Sequence, residues 1–382
     1  MPTSIEPACT EGPIGATTRL TIDLDAIAAN WRFLAKTAAP ALTGAAVKAD
    51  AYGLGAARVA PALYAAGCRH FFVAHLGEAL ALRPLLAPAA TVYVLHGVPP
   101  GTAREFVAAG VTPILNSLGD LEAWSAAGKA LGRRLPAALH VDTGMCRTGL
   151  AASEVARLIA EPDRLDGVAL DLVISHLSCA DDPANPMTAR QRDRFIDITT
   201  RLPTTGAPFR RALANSAGIL WGGDYHFDLV RPGIALYGGH PIAGKATPLA
   251  PVIRLDANIL QVREIDPPEA VGYGAVHKVS RPTRVATVAV GYADGYIRAA
   301  GNRGTALLAG HDIPILGRIS MDLMTIDVTD VPPAQCQPGM AITLVGDHLT
   351  IDRVAATMDT VSYELLTRLG QRFTRVYQGG AA

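Results

Sequence analysis

The sequence predicts an α/β protein: an N-terminal (β/α)8 TIM barrel followed by a C-terminal mainly-β domain. Three observations carry this. Short apolar runs alternate with Ala-, Leu- and Arg-rich stretches through the first two-thirds of the chain, the pattern of a parallel sheet with both faces covered. There are eight such runs. Beyond Pro248–Pro251 the helical stretches vanish, and strand-like runs follow one another directly.

Taken in order, Leu20–Leu24 reads as a strand that joins the C-terminal domain from the N-terminus. Ala26–Ala38 reads as an amphipathic helix, with Ile27, Trp31 and Leu34 at helical spacing and Asp25 as its cap. The barrel strands fall at Gly44–Val47, Phe71–Ala74, Thr91–Leu95, Thr112–Leu115, Ala137–Val141, Leu170–Ser175, Arg211–Ala214 and Asp228–Val230. Nearly every run is followed by a polar residue: Lys48, His75, His96, Asn116, Asp142, His176, Asn215, Arg231. In a barrel the carboxyl ends of all strands meet at one mouth, where active sites are built. Unrelated helix caps are the plainer explanation for those residues, and an open doubly wound sheet is the competing architecture.

The second domain has strands at Val252–Val262, Arg284–Val290, Thr305–Leu308, Ile313–Leu316, Leu323–Val328 and Ala341–Val345, a hairpin turn at Ala309–Asp312, and a helix around Arg353–Met358. Boundaries of 20–247 and 248–378 follow, with a frayed tail at Gly379–Ala382.

The 382 residues are 49% apolar and 18% charged, which closes a large core and excludes disorder. The 34 basic and 34 acidic side chains leave no basic excess for nucleic acid. The longest uncharged stretch, Pro84–Ala103, holds four prolines and cannot be a spanning helix. Met1–Thr18 lacks a secretory pattern, and the cysteines at 9, 68, 146, 179 and 336 make no C-x-x-C pair, so a cytoplasmic protein is expected.

Two features carry chemistry. Lys48, at the end of the first strand, points into the mouth, where desolvation makes an amine a nucleophile or base; an ordinary solvated lysine is the other reading. Asn215-Ser216-Ala217-Gly218 and Arg231-Pro232-Gly233-Ile234 follow strands seven and eight, the recurrent phosphate site of such barrels; turn geometry alone is the alternative for the glycines. Lysine and cradle together point to a phosphorylated aldehyde held as a Schiff base, that is, pyridoxal phosphate. His176 with Asp181 and Asp182 also admits a metal cluster, but no third ligand follows at a zinc-like spacing, so no metal is expected.

Lys48 and Tyr52 in VKADAYGLG, His140–Arg147, His176-Leu177-Ser178, Ala214–Ala217, Arg231–Ile234, Gly272-Tyr273-Gly274, Val290–Gly295, Gly317–Asp322 and Tyr363-Glu364 together resemble, in order from about Leu20 to about Tyr377, the bacterial alanine racemases. The resemblance implies a pyridoxal-phosphate enzyme that interconverts L- and D-alanine as a homodimer with shared sites, supplying D-alanine for peptidoglycan. It implies Lys48 as the Schiff-base lysine and one catalytic base, with Tyr273 of the partner chain as the other. His176 and Arg231 are the cations available to acidify that phenol. By the same resemblance, Arg231 is expected to face the pyridine nitrogen, Tyr52, Ser216, Gly233, Ile234 and Tyr363 to surround the phosphate, and His176 and Asn215 to complete the cofactor site. It further implies that Arg147 meets the cofactor's phenolic oxygen and the substrate carboxylate, that Met321 of the partner is the second carboxylate anchor, and that Asp322 and Tyr292 line the entrance.

The chain departs from the family at His140, where many members have a carbamylated lysine that braces the arginine. Here an anion, a water or the histidine itself is left to do so. Cys146 stands where glycine is common and Leu54 where histidine is common. A broader amino-acid racemase, a barrel decarboxylase of basic amino acids and a coenzyme-binding homeostasis protein are the competing readings.

Overall fold

A computed structural model describes residues 9–11, 15, 17–242 and 244–380. Seven parallel strands run side by side: Ala45–Ala46, His70–Val73, Thr91–Val94, Thr112–Leu115, Leu135–His140, Val168–Ile174 and Arg210–Ala212. The eighth, Leu229–Val230, pairs in parallel with Leu42–Thr43, the first half of the first strand. Gly44 N and Ala46 N donate to Val230 O and Pro232 O, and Asp228 N and Arg231 N donate to Arg211 O and Ala214 O. These bonds close the sheet into the expected barrel.

The barrel interior is a layer of Phe72, Tyr93, Ile114, Ala138, Leu172, Ile174, Ala212 and Leu229, with Phe72 stacked on Tyr93 at 4.8 Å. Towards the strand starts lies a polar group. The Tyr93 hydroxyl and Arg210 Nη2 reach Asp171 Oδ2 at 3.2 and 3.0 Å, and Arg210 Nη1 lies 3.3 Å from His70 Nε2. Helices cover the outside, but only the short turn Ile234–Tyr237 follows the eighth strand. Helix Leu24–Ala38 packs there instead. Its Asn30 amide donates to Leu236 O and Ala250 O and accepts from Ala250 N at 2.7 Å. The cap of this helix is Asp23, not the expected Asp25: the Asp23 carboxylate accepts from Ala26 N at 2.8 Å, which leaves Asp25 in the first turn.

The C-terminal part is a second closed sheet. Ile253–Ile265, Thr283–Val288, Met324–Asp327, His311–Leu316, Thr305–Leu308 and Ala341–Val345 pair in that order, and the last returns to the first. Ile253–Ile265 serves two neighbours because bulges at Leu255/Asp256 and Ile259/Gln261 bend it. The hairpin turn is tighter than Ala309–Asp312: Leu308 faces His311, and Ala309 and Gly310 both have positive φ, the two-residue turn that matches strand twist. Thr18–Asp23 sits inside this sheet, antiparallel to Ile253–Ile265 and parallel to Thr374–Gln378. The helix expected near Arg353–Met358 spans Ile351–Thr357, and an unanticipated one follows at Ser362–Arg368. Gly380 is held rather than frayed, since its N–H donates to Asp25 Oδ1; Ala381 and Ala382, like most of Met1–Thr18, lie outside the described residues. Among the described residues no helix is long and apolar enough to cross a membrane.

Candidate active site

The carboxyl ends of the barrel strands open into a cavity of about 730 Å³. Lys48, Tyr52, Arg147, His176, Asn215, Ser216, Arg231, Gly233, Ile234 and Tyr363 all line it. Of the other strand-end residues, His96 reaches it. His75 instead caps helix Leu76–Leu82, and Asp142 accepts from the amides of Gly144, Met145 and Cys146 at 2.9–3.1 Å. The capping explanation is therefore right for His75. Asn215 does both, since its side chain also accepts from Gly218 N.

Lys48 leads into an unusual backbone. Ala49, Asp50, Ala51 and Tyr52 are all left-handed, with φ of 52–57° and ψ of 36–52°. Each such residue costs about 1–2 kcal/mol for an L-amino acid. Ala51 N and Gly55 N bond back to Val47 O and Asp50 O. The Glu78 carboxylate accepts from Ala49 N and Ala74 N, each at 2.7 Å, and so staples the turn to the end of the second strand. From the C-terminal sheet, Arg375 Nη1 and the Tyr377 hydroxyl donate to Gly53 O and Leu54 O at 2.7 and 3.2 Å. The turn places both Lys48 and Tyr52 on the cavity wall.

Electrostatically the cavity is cationic. Burial lowers the Lys48 pKa, and Arg147 and Arg231 add to this while Glu78 opposes it. Arg231 is buried; its Nη2 donates to the carbonyls of Ser175 and Leu213, and its Nε has no partner. Burial brings its pKa down to about 10, so it stays charged at neutral pH. His176 is driven far below the ordinary imidazole value by burial and then by Arg231, Arg147 and Lys48. It is neutral, so of the two cations named for acidifying Tyr273 only Arg231 carries charge. Among the described residues no group of three His, Cys, Asp or Glu is placed to hold a metal. The Asp182 carboxylate turns to the amide of Ala184.

Loops seven and eight are tied by Ser216, whose Oγ accepts from Gly233 N at 2.9 Å and Ala235 N at 3.3 Å. A Cβ on Gly233 would overlap the Tyr52 hydroxyl, so only glycine lets backbone and phenol approach there. The Tyr52 ring packs on Tyr237 at 4.7 Å and faces Tyr363 at 6.0 Å. Cys146, in place of the common glycine, sits at φ 56°, and Leu54 is fully buried.

Tyr273, Tyr292, Met321 and Asp322 do not line the cavity of their own chain. They belong to the C-terminal part, where Tyr273, Tyr292 and Met321 are exposed by 68%, 42% and 54%. Tyr292 N and Ala293 N bond to Ser320 O and Met321 O, and Arg372 bridges Asp294 and Asp322, each at 2.7 Å. Sequence reasoning missed Glu78, Val361 and Thr367, and took Glu364 only as part of the Tyr363-Glu364 motif, without a role. Of the three missed, Glu78 carries a signal, being the acidic residue three positions after a helix cap.

Residues 22–241 match the family model described as alanine racemase, N-terminal domain, and residues 252–377 that of alanine racemase, C-terminal domain. The alanine racemase of Rhodospirillum rubrum is 50% identical over 365 residues, 95% of this chain and 96% of that protein. That of Brucella abortus is 47% identical over 371 residues, 94% and 93% of the two chains. The crystal structure of alanine racemase from Bartonella henselae with covalently bound pyridoxal phosphate superposes with a TM-score of 0.91 at 41% identity, covering 95% of this chain and 99% of that one. Alanine racemase from a D-cycloserine-producing Streptomyces lavendulae gives 0.90 at 33% identity, covering 97% and 99%. With both parts matched and the cavity lined as described, the chain belongs to the alanine racemase family.

Proposed function

We propose that this chain is a pyridoxal-phosphate-dependent racemase that interconverts L- and D-alanine, with two proton-handling groups, Lys48 and a partner subunit's Tyr273. The observation that carries the reading is Arg231: a buried cation with an orphaned Nε, bonded only to carbonyls, in a cavity shared with Lys48. Burying such a cation without a carboxylate is costly unless a polar ligand completes its hydrogen bonds. The cavity fits the coenzyme: Lys48 to attach its aldehyde, Arg231 as a donor to its ring nitrogen, and Tyr52, Ser216, Gly233, Ile234 and Tyr363 around its phosphate. Once bound, pyridoxal phosphate withdraws electrons and acidifies the α-hydrogen of an attached amino acid.

The side chains then handle the proton. Lys48 Nζ, whose proton affinity is lowered by burial and two guanidiniums, takes or returns it at one face of the α-carbon. Tyr273 Oη does so at the other. Arg231 cannot give up its proton, so it leaves the ring nitrogen unprotonated, which favours return of the proton to the α-carbon. Arg147 and the partner's Met321 amide hold the carboxylate. An exposed apolar set of Tyr273, Val276, Tyr292, Met321 and Leu323 supports an intersubunit face. The role we infer is cytoplasmic supply of D-alanine for peptidoglycan.

The test is a chiral assay across L-amino acids with pyridoxal phosphate added. L-Alanine should give D-alanine, and borohydride reduction should leave the coenzyme on Lys48. Tyr273→Phe should abolish turnover in both directions while the coenzyme stays attached. Attachment elsewhere, or full turnover by Tyr273→Phe, overturns the assignment.

A further inference from the structure

The helix between the sixth and seventh barrel strands, Met187–Arg201, turns Thr188, Gln191, Phe195, Ile198 and Thr199 inward. Gln191 is fully buried, where a barrel helix ordinarily places an apolar side chain. All four of its hydrogen-bonding positions are used. Oε1 accepts from Ser178 N at 2.9 Å and Ser178 Oγ at 3.1 Å, and Nε2 donates to His176 O at 2.8 Å and Thr143 Oγ1 at 3.2 Å. A backbone N–H only donates and a carbonyl only accepts, so this amide cannot be flipped.

These bonds grip the segment Ser175–Ser178, which leaves the sixth strand and carries His176. Gln191 holds it on both sides of Leu177. Asn215 Nδ2 donates to Leu177 O at 3.3 Å, and Thr143 Oγ1 lies 2.8 Å from Ser175 Oγ. The carbonyl of Ser175 in turn accepts from Arg231 Nη2, as does Leu213 O. Among the described residues these two carbonyls are the acceptors of that guanidinium, so they aim it. An apolar side chain in place of Gln191 would leave Ser178 N and His176 O unpaired and free the backbone next to Ser175 O.

We propose that Gln191 is a positioning residue: from the outer helix it fixes the Ser175–Ser178 backbone, and so sets where the Arg231 guanidinium and the His176 ring stand in the cavity. Only what those two groups act upon rests on the racemase reading.

A neutron structure of the coenzyme-loaded protein reads the donors without any substitution. The Gln191 NH2 should point at His176 O and Thr143 Oγ1, and a flipped amide overturns the proposal. Gln191→Met keeps the length and loses all four bonds, whereas a neutral glutamic acid keeps an acceptor for Ser178 and an O–H for His176 O. Gln191→Met should bind pyridoxal phosphate about tenfold more weakly than the parent. At about pH 5.5, where burial keeps the new carboxyl neutral, Gln191→Glu should come within about threefold of the parent at the same pH. Phe195→Leu, a packing loss on the same helix face, should lower the urea midpoint and leave that affinity in place. Parent-like affinity in Gln191→Met, no gain of Glu over Met, or an equal loss in Phe195→Leu each overturns the proposal. If the chiral assay finds no racemisation, the activity reading fails, while the donor directions and coenzyme affinities still decide this one.

Discussion

At the scale of single residues, Glu78 ties fold to chemistry. Its two oxygens hold Ala49 N and Ala74 N, and its charge is the one influence that raises the Lys48 pKa. Glu78→Gln keeps one acceptor oxygen and removes the charge. We expect a stability loss of about 1 kcal/mol, the net worth of one hydrogen bond. We also expect Lys48 of the coenzyme-free variant to acylate at lower pH than in the parent. An unchanged acylation profile would remove Glu78 from the electrostatics of the site. The sequence made Lys48, Arg231 and the two small-residue loops legible because strand ends and glycines mark them. It did not reveal Glu78, whose partners are set by the barrel closing, nor that burial keeps His176 neutral.

Among the elements, the strands read best. Continuous apolar runs bounded by turns mark buried parallel strands, and most of the eight fell within one or two residues of their places. The left-handed turn did not read at all, because Ala, Asp, Ala and Tyr do not announce positive φ. It persists through bonds from distant elements, Glu78 on one side and Arg375 and Tyr377 on the other. Ala49 is exposed at φ 52°, so Ala49→Gly relieves strain without losing packing. Urea unfolding should show a gain of about 0.5–1 kcal/mol with unchanged slope. Ala49→Val should move the midpoint the other way, and a gain from valine would contradict the strain argument.

For the whole molecule, the shared-site arrangement makes a direct claim. Inactive Lys48→Ala and inactive Tyr273→Ala subunits, mixed as heterodimers, should regain activity, because one of the two sites is then intact; verified heterodimers without activity reject it. Acid sensitivity is a second collective property. Burial, with Arg210 and with Arg231 respectively, holds His70 and His140 at about 4, below their unfolded value of 6.5. The unfolded chain therefore binds more protons between those limits. Stability is complete above pH 6.5 and falls as pH drops through about 4, by about 3 kcal/mol at most for each histidine. Urea midpoints measured from pH 7 to 4 should fall accordingly, and His70→Asn should flatten the curve; an equally steep curve in that variant would clear His70.

The placement of Thr18–Asp23 between Ile253–Ile265 and Thr374–Gln378 has a consequence in time. A ribosome releases the first of these segments some 350 residues before its parallel neighbour. Until that neighbour emerges, the early strand keeps one flank open even after Ile253–Ile265 has paired with its other side. Completion of the sheet thus waits for Thr374–Gln378, and a nascent chain cut short before Thr374 leaves a raw edge on which other chains can nucleate.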